Sequence, residues 1–134
     1  MEAPDKWLYE YCMVRYLPKA ERGEFVNIGL LMMCKRQKWL KGRILLNPEK
    51  LRAVHPGLDI ENLQRQAALF ERTDVPGREL PVEEKYRWLS AEKSACLRVS
   101  PSHPAMLPPQ TVADKTAEDA LASEFDRLFN ALVK

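Results

Sequence analysis

This chain of 134 residues has no glycine-rich phosphate loop, no GxSxG elbow and no HExxH pair. Those absences remove the commonest signatures of nucleotide hydrolysis, serine hydrolysis and zinc peptidase chemistry. Only two histidines occur, His55 and His103, and each precedes a proline. Neither has a second ligand at helical or zinc-finger spacing, so neither a metal nor another cofactor is expected. Cysteine is scarce and odd in number: Cys12, Cys34 and Cys96 form no CxxC pair. They read as buried, reduced thiols of a cytoplasmic protein, with Cys12 and Cys34 close on neighbouring strands. The longest apolar run, Phe25 to Cys34, is far below the roughly 18 residues of a membrane span. The opening MEAPDKW lacks the apolar core of a signal peptide. Net charge is scarce as well, at +2, which alone implies no polyanion partner.

What is present suits one domain over residues 1–134. Hydrophobic residues make up 46% and charged residues 30%, which permits a core without staples and argues against disorder. Residues 8–17, 24–34 and 39–46 are apolar or aromatic runs joined by the short polar turns PKAERG and KRQK. Connections this short predict an antiparallel meander. Beyond residue 46 the pattern becomes mainly helical. Asn47-Pro48 opens a short helix, Asp59 caps a second, and residues 82–89 make a third with acids in its first turn. ACLRVS, residues 95–100, predicts one further strand. The proline-rich SPSHPAMLPPQ is expected to be an irregular surface loop. Thr116 starts a last helix with Leu121, Phe125, Leu128 and Leu132 on one stripe. The expectation is an α+β fold: an antiparallel meander sheet of about four strands, with helices packed on one face.

The stretch ERGEFVNIGLLMMC puts an amide and a glycine inside an apolar strand. By strict alternation Val26, Ile28, Leu30, Met32 and Cys34 share the core face. Asn27 and Gly29 then lie on the other face, where Gly29 leaves a gap for a neighbour or a ligand. Arg15 is expected beside Asn27 on the preceding strand and Arg43 on the following one, with Arg22 and Glu24 at the rim. Arg15, Arg22, Glu24, Asn27, Gly29 and Arg43 therefore form the candidate binding surface. A solvated outer face or a charge-stabilised turn would account for the same residues.

Other groups carry less. Lys35, Arg36, Lys38, Lys41, Arg43, Lys50 and Arg52 surround Trp39, a pattern that nucleic acid could use but that a solvated hairpin tip also explains. Nucleic acid is not expected as the partner. Ser100, Ser102 and His103 place a hydroxyl near an imidazole, but adjacency in sequence rarely makes a catalytic set. Acids dominate the polar face of the last helix, which argues against anionic membrane.

YEYCMVRYLPKAERGEFVNIGLLMMC resembles the opening of a bacterial family of small uncharacterised proteins, Domain of Unknown Function 3037. The shared positions are Tyr11, Val14, Arg15, Tyr16, Pro18, Arg22, Gly23, Glu24, Phe25, Val26, Asn27 and Gly29. Weaker likeness continues through Arg87-Trp88-Leu89, Ser100-Pro101 with His103, and the leucine-rich last helix. PAML after the histidine departs from the family's pattern and weakens any shared role for His103. The resemblance implies an accessory protein, with a HipA-like kinase-type protein encoded nearby as the suggested partner. It draws attention to Arg15, Arg22, Glu24 and Asn27. Two classes of function stay open. One is a non-catalytic module binding a protein through a charged sheet face or edge. The other is an anion or nucleotide site, with or without catalysis. The first is preferred, because no nucleophile, metal set or phosphate loop accompanies the group.

Overall fold

A computed structural model describes residues 8–18, 24–72, 79–91, 96–107 and 116–134. Alternating apolar residues and short turns give the expected meander: β1 (Leu8–Tyr16), β2 (Val26–Cys34) and β3 (Trp39–Ile44), paired antiparallel in that order. Asn47 Oδ1 accepts from the backbone N–H groups of Glu49 and Lys50, starting α1 (Pro48–Val54) with proline in its first turn. Asp59 caps α2 (Ile60–Ala67) through the Asn62 N–H, and a 3-10 turn (Ala68–Glu71) continues it. α3 (Val82–Ser90) follows. Thr116 Oγ1 accepts from the Asp119 N–H at the start of α4 (Ala117–Leu132).

Two short strands complete the sheet, and both pair antiparallel with β1. β4 (Leu97–Val99) lies along its second half and β5 (His103–Met106) along its first. β5 falls inside the proline-rich stretch expected to be irregular. Pro104 is accommodated because edge strands tolerate a residue without a backbone donor. Residues 108–110, the end of that stretch, lie outside the described residues, so the sheet has five described strands.

The α+β class is as expected, but the helices do not all pack on one face. Every residue from Ile28 to Cys34 is buried, because β2 is covered on both sides. Leu31 and Met33 join Cys12, Tyr86 and Leu89 under α3, whereas Leu30, Met32 and Cys34 join Phe125 and Phe129 under α4. Strict alternation also fails within β2. Gly29 pairs with Val14 and Asn27 with Arg15, which leaves Ile28 as the extra residue of a β-bulge. Past the bulge the faces exchange. Val26 and Ile28 pack with Val14, Tyr16 and Phe70 on the α1–α2 side, and Asn27 turns to α4. Cys12 pairs with Leu31, an odd number of residues from Cys34, so the two cysteines lie in different clusters on opposite faces, and none of the three cysteines is in a disulfide.

The β3 edge of the sheet and the β5 part of the other edge are blunted. On β3 the outward N–H of Ile44 donates to Glu71 Oε2 at 3.0 Å, and Gly42 lies so close to the 3-10 turn that a Cβ there would be 1.8 Å from the Phe70 carbonyl oxygen. On the other side β5 carries Pro104. A carboxylate cap, a covering turn and a proline are the usual protections against strand addition. Among the described residues no helix is long and apolar enough to cross a membrane.

Candidate functional site

The β-bulge positions the candidate group. By exchanging the faces after Ile28, it brings Asn27 to the last turn of α4, where Nδ2 donates to the Leu132 carbonyl at 3.1 Å. Asn27 Oδ1, fixed in this way, accepts from Arg15 Nε on the neighbouring strand at 3.4 Å. The Arg15 guanidinium lies 4.0 Å above the centre of the Phe25 ring, and that ring is 47% exposed. An arginine held over an aromatic face and oriented by an amide has lost much of its rotamer freedom before anything binds.

Directly across β1, Arg15 pairs with Arg98 of β4. Two guanidinium groups therefore project from adjacent strands on the same face. Like charges in direct cross-strand pairs are destabilising unless other groups offset them, and two guanidinium groups on one face have the donors to hold a carboxylate or another oxyanion together. Arg98 is not identifiable from the sequence because strand register cannot be read there. Its only signal is the arginine inside ACLRVS.

The other expected members are placed as follows. Glu24 is exposed next to Phe25, and Arg22 lies outside the described residues. Arg43 pairs in register with Leu30 and turns onto α4, 3.9 Å from Asp126 and 4.8 Å from the Phe129 ring centre. It does not join Arg15. Gly29 leaves no gap for a ligand, since a Cβ there would meet Ile44 Cδ1 at 2.4 Å and the Arg43 carbonyl oxygen at 2.8 Å. Its smallness serves packing between β1, β2 and β3.

The basic hairpin does not form one stripe. Trp39 packs edge-on against Phe125, Lys41 sits over the same ring, and Lys35 pairs with Glu83 at 3.7 Å on the α3 side. Ser100 is buried with its hydroxyl between the Met13 N–H, from which it accepts, and the Pro101 carbonyl, to which it donates. His103 stands over the Tyr11 ring at 5.3 Å. Among the described residues no hydrogen bond joins Ser100 to His103. No group of three metal-ligating side chains occurs among them either.

Two polar networks have no sequence signal. Glu124, 2% exposed, accepts from Tyr9 Oη at 2.5 Å and from Arg127 Nε and Nη2 at 2.8 and 2.7 Å, tying α4 to β1. Burial alone would raise the Glu124 pKa. The hydrogen bonds from Arg127 and Tyr9, with the Arg127 charge, outweigh it and hold the carboxyl below its ordinary range. Burial, reinforced by Glu124, pushes the Tyr9 phenol well above its usual value. On the opposite face burial raises the Cys12 thiol to about 11, an inert structural cysteine beside Tyr86.

Fold and site together define a small α+β protein whose open antiparallel sheet is unevenly covered by helices and bears a paired-arginine strip. The chain belongs to the family described as "Protein of unknown function (DUF3037)", which matches residues 11–133. No curated protein and no solved structure matches it.

Proposed function

We propose that this is a bacterial, cytoplasmic, non-catalytic interaction protein that receives an acidic segment of a protein partner on the Arg15–Arg98 strip. One observation carries the reading: two arginines stand directly opposite each other, and one is already stacked and hydrogen-bonded. Arginine, methionine and aromatic residues are the types enriched where proteins meet, and Phe25 lies under Arg15 with Met13 two residues before it on the same strand face. The blunted edges of β3 and β5 favour the sheet face over strand addition as the mode of binding. The HipA-like kinase-type neighbour suggested by the family resemblance is the first partner to try.

A nucleotide or small oxyanion on the same two guanidinium groups is the second reading, favoured by the same geometry. Capture from host extract with the intact chain, Arg15→Ala, Arg98→Ala and a Lys50→Ala control tests the first. Each arginine variant should lose at least tenfold in capture of a specific protein, since a charge-assisted hydrogen bond contributes about 1.5–3 kcal/mol. Undiminished capture by both variants would overturn it. Saturable binding of a nucleotide or phosphate, abolished by the same variants with no protein captured, would establish the second.

A further inference from the structure

A cleft of about 380 Å³ opens where the first half of β1 meets the end of β2 and β5. It lies on the face opposite α4, away from Arg15 and Arg98. Its floor is apolar: Leu8, Met33 and Pro104. Its charges are of both signs, with Glu10 from β1 and Lys35 and Arg36 from the turn that follows β2. Pockets for small molecules have this composition, a mainly apolar lining with a few oriented polar groups.

Glu10 is oriented by a directional relay. Ser102 Oγ lies 2.9 Å from Glu10 Oε1 and 2.7 Å from Tyr86 Oη. A carboxylate only accepts, so the single hydroxyl hydrogen of Ser102 goes to Glu10 and Tyr86 must donate to Ser102. The chain of donors runs from Tyr86 through Ser102 and ends on the wall of the cleft. Every link lies on β1, on α3 or immediately before β5, so the carboxylate is held by the frame of the fold. On the other wall Lys35 is paired with Glu83, at 3.7 Å and with its side chain 72% exposed. An exposed pair of that kind exchanges readily for a ligand carboxylate.

We propose that this cleft binds a small zwitterion with an apolar body, either a free apolar amino acid or the two ends of a short apolar peptide. Its ammonium group sits against Glu10, its carboxylate against Lys35 and Arg36, and its apolar body over Leu8, Met33 and Pro104. Ser102 acts as a positioning residue through Glu10.

The full chain is titrated with L-leucine and with L-leucyl-L-leucine, following the amide and methyl resonances of Leu8, Glu10 and Met33. Saturable shifts with leucine identify the amino acid, and shifts with the dipeptide alone identify the peptide. With the wild-type chain, removing either charge from the better probe, as its N-acetyl or its amide derivative, should weaken binding about tenfold or more. Glu10→Gln should do the same for the unmodified probe. Ser102→Ala should weaken the unmodified probe while leaving its N-acetyl derivative unchanged, because that derivative brings no ammonium to Glu10. No saturation by either probe at millimolar concentration would overturn the proposal, as would equal binding of the charged and capped forms.

Discussion

Under α1, α2 and α3 the sheet presents Cys12, Val14, Tyr16, Ile28, Leu31 and Met33, all buried and almost wholly apolar. Under α4 the same sheet presents Met13, Arg15, Asn27, Leu30, Lys41 and Arg43. The first face is closed by four short elements that spread across it. The second is closed by one helix of 16 residues, lying mostly over β2 and the strands beside it. This difference sorts the cations. Lys41 and Arg43 fall beneath α4 and find Phe125, Phe129 and Asp126 there. Arg15, paired across the strands with Arg98, stacks on Phe25 instead and takes its orientation from Asn27. Residues of one chemical type thus find different partners on one sheet face: rings and a carboxylate of α4 for Lys41 and Arg43, the Phe25 ring and Asn27 for Arg15.

The most drastic way to break the comparison is to lift α4. Phe125 is fully buried and touches Trp39 and Phe129. Phe125→Ala should cost about 3–5 kcal/mol, read as a fall in urea midpoint, and it takes away the ring on which Lys41 rests. A cost below about 1 kcal/mol would mean that α4 does not hold that face. Next comes the edge of β3. Gly42→Ala forces a Cβ into the Phe70 carbonyl, which is backbone and cannot swing aside. The expected loss is at or above the ~3 kcal/mol upper end for overpacking. Near-native stability of Gly42→Ala would show that the 3-10 turn yields easily.

Much of this frame is legible in the sequence. The three meander strands, the caps at Asn47, Asp59 and Thr116, and the proximity of Arg15 to Asn27 all follow from local chemistry, which acts over a few residues. What is not legible depends on distant parts of the chain. The amphipathic pattern of α4 declares that it packs, but not on which side of the sheet. Alternation along β2 holds until a bulge inserts Ile28, and the bulge answers to the turn and the neighbouring strand. Pro104 reads as a loop residue unless the edge position of β5 is known. Arg98 becomes part of the site only through the register of β4 on β1, set by residues more than 80 positions apart in sequence.

A subtler probe of the α4 face is acid. Glu124 has a depressed pKa in the folded chain, so its contribution is complete above its ordinary value of 4.5 and disappears as pH falls through the lower folded value. Glu124→Gln removes the charge and should cost about 1–3 kcal/mol at neutral pH. Urea midpoints of the two proteins should converge in acid, as pH falls through the depressed folded value and the wild-type carboxyl takes up its proton. Parallel curves from neutral pH through the whole acid range, until both proteins unfold, would refute the role assigned to the Tyr9–Glu124–Arg127 network.

The smallest expected change in stability discriminates best between a structural and a recognition role for the uncovered strip. Arg98→Glu turns a like-charge cross-strand pair into an opposite one. Such pairs contribute about 0.2–1 kcal/mol, so the variant should be equally stable or slightly more stable than wild type. If Arg15 and Arg98 were present to hold the sheet together, the same change would not raise the urea midpoint while abolishing capture of the partner. A recognition strip expects that combination: the new carboxylate occupies Arg15 from within and repels an acidic segment. Arg98→Glu that keeps its partner, at any stability, would remove the paired arginines from the binding surface.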